Sequence, residues 1–286
     1  MKKLFIYGFG YTAQKFVESF GNDFSSIIGS TRNMENINYR NKSFELIDNF
    51  QVSDCLLNSD FSHILVSSPP DIKGDPFYLN FRKFIKNSKN ILWFGYLSAT
   101  NVYGDHNGKY VDETSNTIPS TQKGKNRLLA ENQWLSFCEE MNIPIHIFRL
   151  AGIYGQDRNI IKKVTDQKLI NFEKKSQYFS RIYIDDLINI LRLSMLKPNP
   201  FSIYNIADDF PSNITDVIEY VCQQINIPVP NKVNYLNDST INKNESFFSE
   251  NKRVNNKLIK NEFKIELKYP SYRDGYKELI AKKSDL

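Results

Sequence analysis

The first 150 residues alternate two hydrophobic rhythms. Short, solid apolar runs read as buried strands: "KLFIY" (3–7), "SSIIGS" (25–30), "SFELI" (43–47), "HILVSS" (63–68), "NILWFGYLS" (90–98) and "IPIHIFRL" (143–150). Between them the apolar positions take helical spacing. Ala13, Phe16, Val17 and Phe20 recur at i, i+3, i+4 and i+7, a second helix spans about 76–88, and Leu128, Leu135, Cys138 and Met141 place a third over about 121–141. Strand and helix in alternation, with short connections, predict a parallel sheet covered on both faces.

After Gly155 the rhythm loosens. A helix starts at Asp185 and Asp186 and ends before Pro198, "SIYNIA" (202–207) is a strand, and Thr215 to Ile225 is a helix with Val217, Ile218, Val221, Cys222 and Ile225 on one face. "KVNYL" (232–236) reads as a strand, 237–252 as polar loop, and Ser271 to Lys283 as a last helix. The chain is therefore expected to be α/β: a Rossmann-type, doubly wound parallel sheet over 1–155, with a smaller C-terminal α/β lobe over 156–286. The lobe is interlocked with the first part rather than a separate module.

Composition changes this picture little. Apolar residues make up 41% of 286, enough for a full core, and a net charge of +5 reads as a solvated basic surface rather than a nucleic-acid partner. Cys55, Cys138 and Cys222 are scattered through apolar stretches and read as reduced core cysteines of a cytoplasmic protein. Glycines break the apolar run of "MKKLFIYGFG", which argues against a signal peptide, and no run approaches the roughly 18 residues of a membrane span. Metal-ligand spacing is absent. His63 and His146 sit in strand runs as core residues, and His106 in a polar loop.

The chemistry begins at "FIYGFGYTAQKF". Gly8-Phe9-Gly10-Tyr11-Thr12-Ala13 fits G-x-G-x-x-G/A, after a strand and opening an amphipathic helix, which is the context a dinucleotide site requires. Gly8 permits the tight turn, Gly10 lets a diphosphate approach the backbone, and Ala13 lets helix and strand pack closely. About twenty residues on, where an NAD enzyme usually carries an acid for the ribose 2′-hydroxyl, this chain reads "IIGSTRN". Ser30, Thr31 and Arg32 suit a 2′-phosphate instead, with Arg32 as the charged clamp, so NADP is expected over NAD. Asp48, after "FELI", either accepts from the adenine amine or caps a helix.

Four more stretches follow in order: "LSATNVYGD" (97–105), "RLAGIYGQDR" (149–158), "FSRIYIDDL" (179–187) and "IYNIADDFPSNITDVI" (203–218). With the glycine motif they make the chain resemble the short-chain dehydrogenase/reductase superfamily, in its extended, NAD-dependent epimerase/dehydratase branch. "SENKRVNNKLI" and "YPSYRDG" resemble the atypical subgroup of that branch, which binds NADP and often has degraded catalytic residues. The resemblance implies a Ser/Thr, Tyr and Lys triad, with a Glu four residues after the lysine. Taking Glu131 as the register, the lysine falls on Arg127, the tyrosine on Lys123 and the Ser/Thr on Ala99.

The resemblance further implies that Arg127 hydrogen-bonds the nicotinamide ribose, and it leaves Thr100, Tyr103 and Lys123 as the other catalytic candidates. Lys123 lies one helical turn from Arg127 and, partly buried, would exchange protons in the tyrosine's place. Ser67, Ser68, Gly152 and Ile153 complete the expected cofactor contacts. Arg158 and Arg181 fall where relatives meet the phosphates of nucleotide-linked sugars. Arg181 equally suits an ion pair with Asp185 or Asp186, which read as helix caps. The expected protein is an NADP-dependent oxidoreductase or epimerase/dehydratase-like enzyme, transferring hydride to or from a small polar, sugar-like substrate. A homodimer through the helices at 76–88 and 121–141 fits this reading. The alternative is a catalytically inactive NADP-binding sensor or regulatory protein.

Overall fold

The solid apolar runs become strands, the central ones buried on both faces. β1 (Lys3–Tyr7), β2 (Ser26–Thr31), β3 (Phe44–Asp48), β4 (His63–Val66) and β5 (Trp93–Ala99) come first, then β6 (Tyr110–Val111), β7 (Ile145–Leu150), β8 (Gly152–Tyr154), β9 (Asn171–Glu173) and β10 (Arg181–Tyr183). β11 (Ser202–Ile206), β12 (Lys232–Asn234) and β13 (Arg253–Val254) complete the set in this computed structural model, which describes residues 2–34, 44–86, 90–234 and 248–284. Of the expected loop over 237–252, residues 237–247 lie outside the described residues, as do Tyr235 and Leu236 of the strand expected at 232–236.

Seven strands form one sheet in the order β11-β7-β5-β4-β1-β2-β3. The pairs joining β3, β2, β1, β4 and β5 are parallel. The chain steps outward from β1 to β2 and β3, then returns to the other side of β1 with β4. This is the doubly wound arrangement, and the reversal opens a crevice beyond the C-terminal ends of β1 and β4.

The helices α1 (Tyr11–Phe20), α2 (Val52–Asn58), α3 (Pro76–Ile85) and α4 (Gln122–Met141) run between these strands. α1 buries Thr12, Ala13, Phe16 and Val17, as its spacing predicts. α2 is not visible in the pattern, because seven residues are too few to show a 3.6-residue period. α4 spans the expected range, but its buried face is Ala130, Glu131, Trp134, Phe137 and Cys138, turned from the expected Leu128–Leu135–Cys138–Met141 stripe. No helix among the described residues is long and apolar enough to cross a membrane.

The chain folds into two compact units, each assembled from three segments. The first holds Met1–Val102, Gln122–Arg149 and Ile188–Tyr204; the second holds Tyr103–Thr121, Leu150–Leu187 and Asn205–Leu286. The division is finer than a cut at residue 155. In the first unit, one core cluster packs Tyr7 on Phe77 (ring centroids 4.9 Å apart) and Phe94 on Trp134 (4.6 Å). His63 and His146 are core residues there, and burial pushes both imidazoles down to about 4, so they are neutral at pH 7.

The second unit has three short parallel pairs, β8 with β10, β9 with β12 and β6 with β13. It also carries α5 (Ile161–Thr165), the start of α6 (Ile184–Leu196), α7 (Ile214–Gln224) and the helices Lys257–Phe263 and Tyr272–Ser284. Asn251 ties its segments together. The Asn251 carbonyl accepts from the His106 and Gly108 N–H groups (3.0 and 2.9 Å), and its side-chain oxygen accepts from the Tyr178 N–H (3.0 Å).

Candidate functional site

Beyond the ends of β1 and β4, where the strand order reverses, lies a cavity of about 310 Å³. Its walls come from Tyr7–Gly10 after β1, Thr31–Asn33 after β2, Asn49 after β3, Ser67–Pro69 after β4, and Pro76 at the start of α3. Gly8 has φ +90°, and a Cβ there would stand 2.7 Å from the Ser68 backbone nitrogen, so this position admits glycine alone without strain. A Cβ on Gly10 would meet nothing within 4 Å; the space above that backbone is open.

The turn itself does not offer the amides that the sequence suggests. The N–H groups of Gly8 and Phe9 both donate to the Ser30 carbonyl (3.2 and 2.8 Å), and that of Gly10 donates to the Gly8 carbonyl (2.9 Å). The helical ladder of α1 starts at Gln14 N–H to Gly10 C=O (2.9 Å), so the first-turn amides that precede it are the ones an anion would meet. Gly10 gives this helix no side-chain cap and the first turn carries no acid, so its partial positive charge is uncompensated. Tyr11 and Thr12 are not part of the cavity wall. Phe9 is buried against Phe44 (4.6 Å between centroids), and its ring lies where a Cβ on Gly29 would go, 2.8 Å away.

Arg32 stands exposed at the rim of the cavity. The Thr31 hydroxyl is engaged locally, donating to the Asn33 carbonyl (3.2 Å) and accepting from the Asn33 N–H (3.3 Å), which leaves Arg32 as the charged group at the end of β2. Asp48 is a cap and does not line the cavity. Its carboxylate accepts from the Phe50 N–H and its own N–H donates to Gln51 Oε1, both at 2.9 Å. The next residue, Asn49, takes the wall position. Asn49 Oδ1 and Ser68 Oγ are buried and have no hydrogen-bond partner among the described residues. Open space at Gly10, an uncapped helix end and two orphaned polar atoms in one cavity fit a dinucleotide.

At the C-terminal end of β5, Ala99 and Thr100 are half-buried. Arg127 is half-buried too, and its Nη1 donates to the Leu97 carbonyl, which holds the guanidinium at this strand end. One turn on, Glu131 is buried and accepts from Ser98 Oγ and from Arg149, whose Nη2 approaches to 2.8 Å. This ion pair ties α4 to β5 and β7. Lys123 is exposed, which removes the partial burial that a proton-exchanging role presupposes. Tyr103 is fully buried and its hydroxyl donates to Asn205 Oδ1 (2.7 Å), so its phenol serves the packing of the second unit rather than a substrate. Among the described residues no His, Cys, Asp and Glu come together as a metal-holding group.

No family model matches the chain. A solved structure from Silicibacter pomeroyi, described as a functionally unknown conserved protein, is 37% identical with a TM-score of 0.93 over 99% of both chains. The human dTDP-D-glucose 4,6-dehydratase is 26% identical over 164 residues, 52% of this chain and 46% of that protein, so the chain spans about half the length of the curated relatives it matches. The Bacillus anthracis dTDP-glucose 4,6-dehydratase, solved in complex with NAD, superposes with a TM-score of 0.81 over 100% of this chain and 97% of its own; at 16% identity that likeness speaks for the fold. Its structural neighbours are extended short-chain dehydrogenases/reductases, and the chain has their fold.

On the register that the resemblance implies, Ala99, Lys123 and Arg127 stand where that family has Ser/Thr, Tyr and Lys. Two expected substrate residues also separate. Arg158 is exposed in a tight turn with Gly155, whereas Arg181 is buried, its Nη1 donating to the Phe179 carbonyl (2.9 Å) and to Ser212 Oγ (2.7 Å). Neither Asp185 nor Asp186 pairs with Arg181, and Asp186 is no cap for α6. Its carboxylate accepts from the Lys268 and Tyr269 N–H groups, both at 2.9 Å, because the chain returning from the helix Lys257–Phe263 lies over it. Gly152 and Ile153 belong to β8 in the second unit. His106 is half-buried, its Nε2 3.1 Å from the Tyr103 carbonyl. Asn33, Asn49, Pro69 and Pro76 are wall residues that the sequence reading passed over. Asn49 directly follows Asp48.

Proposed function

We propose that this protein binds a nicotinamide dinucleotide in the cavity beyond β1 and β4, that it prefers the 2′-phosphorylated form, and that it acts on a small polar substrate of the nucleotide-linked sugar class. The observation that carries this reading is the Gly8–Gly10 turn, which delivers an uncapped helix end into a cavity at the reversal of the sheet. The diphosphate sits on the first turn of α1. Arg32 meets the 2′-phosphate as a charge-assisted partner, where an acid would have met the hydroxyl of NAD. The NAD bound by the Bacillus anthracis relative supports the dinucleotide class, and the missing acid in "GSTRN" supports the phosphorylated form. When bound, the cofactor supplies a hydride donor or acceptor. Arg127, anchored on Leu97, orients the nicotinamide ribose; of the two hydroxyls that flank Ala99, Ser98 is taken up by Glu131 and Thr100 is left to stand in for the family's Ser/Thr. The exposed Arg158 is the remaining cation for substrate phosphates.

The three replaced triad positions favour one second reading, a dinucleotide-binding regulator without turnover. Both readings are tested by thermal melts with NADPH and NADH. At a hundredfold over Kd, linkage gives about 2.7 kcal/mol of stabilisation. NADPH is expected to bind at least roughly tenfold tighter than NADH, and Arg32→Ala to remove that preference. No shift with either nucleotide overturns both readings. NADPH oxidation against ketones, aldehydes and sugar nucleotides then separates enzyme from regulator.

A further inference from the structure

Behind the wall of the cavity stands a buried acid. Asp75 directly precedes the wall residue Pro76 and is fully buried. Its N–H donates to Gln133 Oε1 (3.1 Å), and its Oδ1 accepts from the Tyr78 N–H (2.9 Å). Its Oδ2 is buried without a hydrogen-bond partner among the described residues, and so are the Tyr96 hydroxyl and Trp134 Nε1 in the core cluster beside it. Charges reach this acid from three elements. Arg127 on α4 favours the carboxylate, while burial pushes the carboxyl up to about 6. On β1, burial and the charge of Asp75 push the Tyr7 phenol up to about 12, with Arg32 pulling the other way. On β5, burial pushes Tyr96 up too, Arg127 opposing and Asp75 and Glu131 adding to it. Both phenols therefore stay protonated, and Asp75 is the member of this group that changes charge between pH 5 and 8. Tyr7 lines the cavity, so that charge is felt at the wall.

We infer that Asp75 couples dinucleotide binding to the uptake of a proton, so that the cavity holds its ligand more tightly when this buried acid is neutral. This rests on the dinucleotide reading above and adds a regulation of that site. A dinucleotide brings negative charge to the wall, which disfavours a second negative charge behind it. It also engages Arg127, the cation that favours the carboxylate. Both effects bind the proton more firmly in the complex than in the free protein. By linkage, affinity is then highest where Asp75 is protonated and falls as pH rises through its titration.

The test is calorimetric titration with NAD+ and NADP+ at pH 5.5 and 7.5, and at pH 6.5 in two buffers of different ionisation heat, which counts the protons taken up. A 2′-phosphate itself titrates near pH 6, so NAD+ decides on wild type alone, and NADP+ is compared between wild type and Asp75→Asn. If the ligand raises the carboxyl from about 6 to roughly 7, wild type takes up about half a proton per NAD+ at pH 6.5 and binds it roughly fivefold tighter at pH 5.5 than at pH 7.5. Asp75→Asn, neutral throughout, is expected to take up none and to bind either nucleotide more tightly than wild type at pH 7.5, a gain that a purely structural cap would not give. No proton uptake with NAD+ in wild type, or uptake undiminished in Asp75→Asn, overturns the inference while leaving the dinucleotide reading intact. Binding of neither nucleotide overturns both. The wild-type measurement with NAD+ needs no variant, so it decides even if Asp75→Asn folds poorly.

Discussion

Two glycines in the same turn make opposite demands on a methyl group. At Gly8 a Cβ has nowhere to go: φ is +90° and the Ser68 backbone is 2.7 Å away. Gly8→Ala is expected to destabilise the protein by about 1–3 kcal/mol and to weaken nucleotide binding with it. At Gly10 the methyl enters open space, so Gly10→Ala should leave the melting temperature of the free protein within about 0.5 kcal/mol of wild type. Its cost appears only with ligand, because the methyl stands where the diphosphate must approach; NADPH affinity should fall roughly tenfold or more. Melts with and without NADPH measure both, and a Gly10→Ala protein of undiminished affinity would place the diphosphate elsewhere. The glycines were legible in the sequence because spacing and flanking elements both constrain them. Asp48 and Asn49 were not. Which of two adjacent polar residues caps and which faces the cavity depends on the path of the chain after β3, and residue type does not encode it.

Among the helices, α3 carries a buried charge at its start. Asp75 is its N-cap, accepting from the Tyr78 N–H at 2.9 Å, yet it is fully buried, and burial pushes its carboxyl up to about 6 against the pull of that hydrogen bond and of Arg127. The folded-state value lies above the unfolded one of 3.8, so the folded protein keeps a proton that the unfolded chain releases. The resulting stability is full below pH 3.8 and is lost as pH rises through about 6. Asp75→Asn keeps an oxygen for the cap and removes the buried charge. It should raise stability at pH 7.5 by on the order of 1–3 kcal/mol, and the gain should vanish near pH 4. Denaturant titrations at the two pH values check this, and a gain independent of pH would sink it. α4 shows where periodicity stops informing. Its extent was readable, but the face it buries includes Glu131, which burial tolerates only because Arg149 meets it from β7, 18 residues further on. A hydrophobic stripe cannot reveal a charged residue whose partner is that remote.

For the molecule as a whole, strand sequence and sheet order follow from apolar runs and short connections, but the allocation of segments to two units does not. It depends on contacts far apart in the chain. The first unit is completed by Ile188–Tyr204, which lies beyond a cut at residue 155. That segment supplies Ser194 Oγ to the buried Trp93 Nε1 (3.2 Å), pairs Arg192 with Asp23 (2.7 Å), and brings Ile203 onto the core cluster. It also brings β11 beside β7 at the end of the sheet. Without it, the Trp93 indole is buried unpaired and β7 becomes an open edge, a template for aggregation. In the same fragment Tyr103–Thr121 would lack Asn251, which takes the His106 and Gly108 N–H groups. A fragment of residues 1–155 therefore holds every residue of the cavity wall and still should not fold. It should melt without cooperativity and gain no stability from NADPH, whereas co-expression with 156–286 should restore both. A cooperative, nucleotide-stabilised melt of 1–155 alone would show that the dinucleotide cavity is an autonomous module, and that the interleaving of the chain is incidental to it.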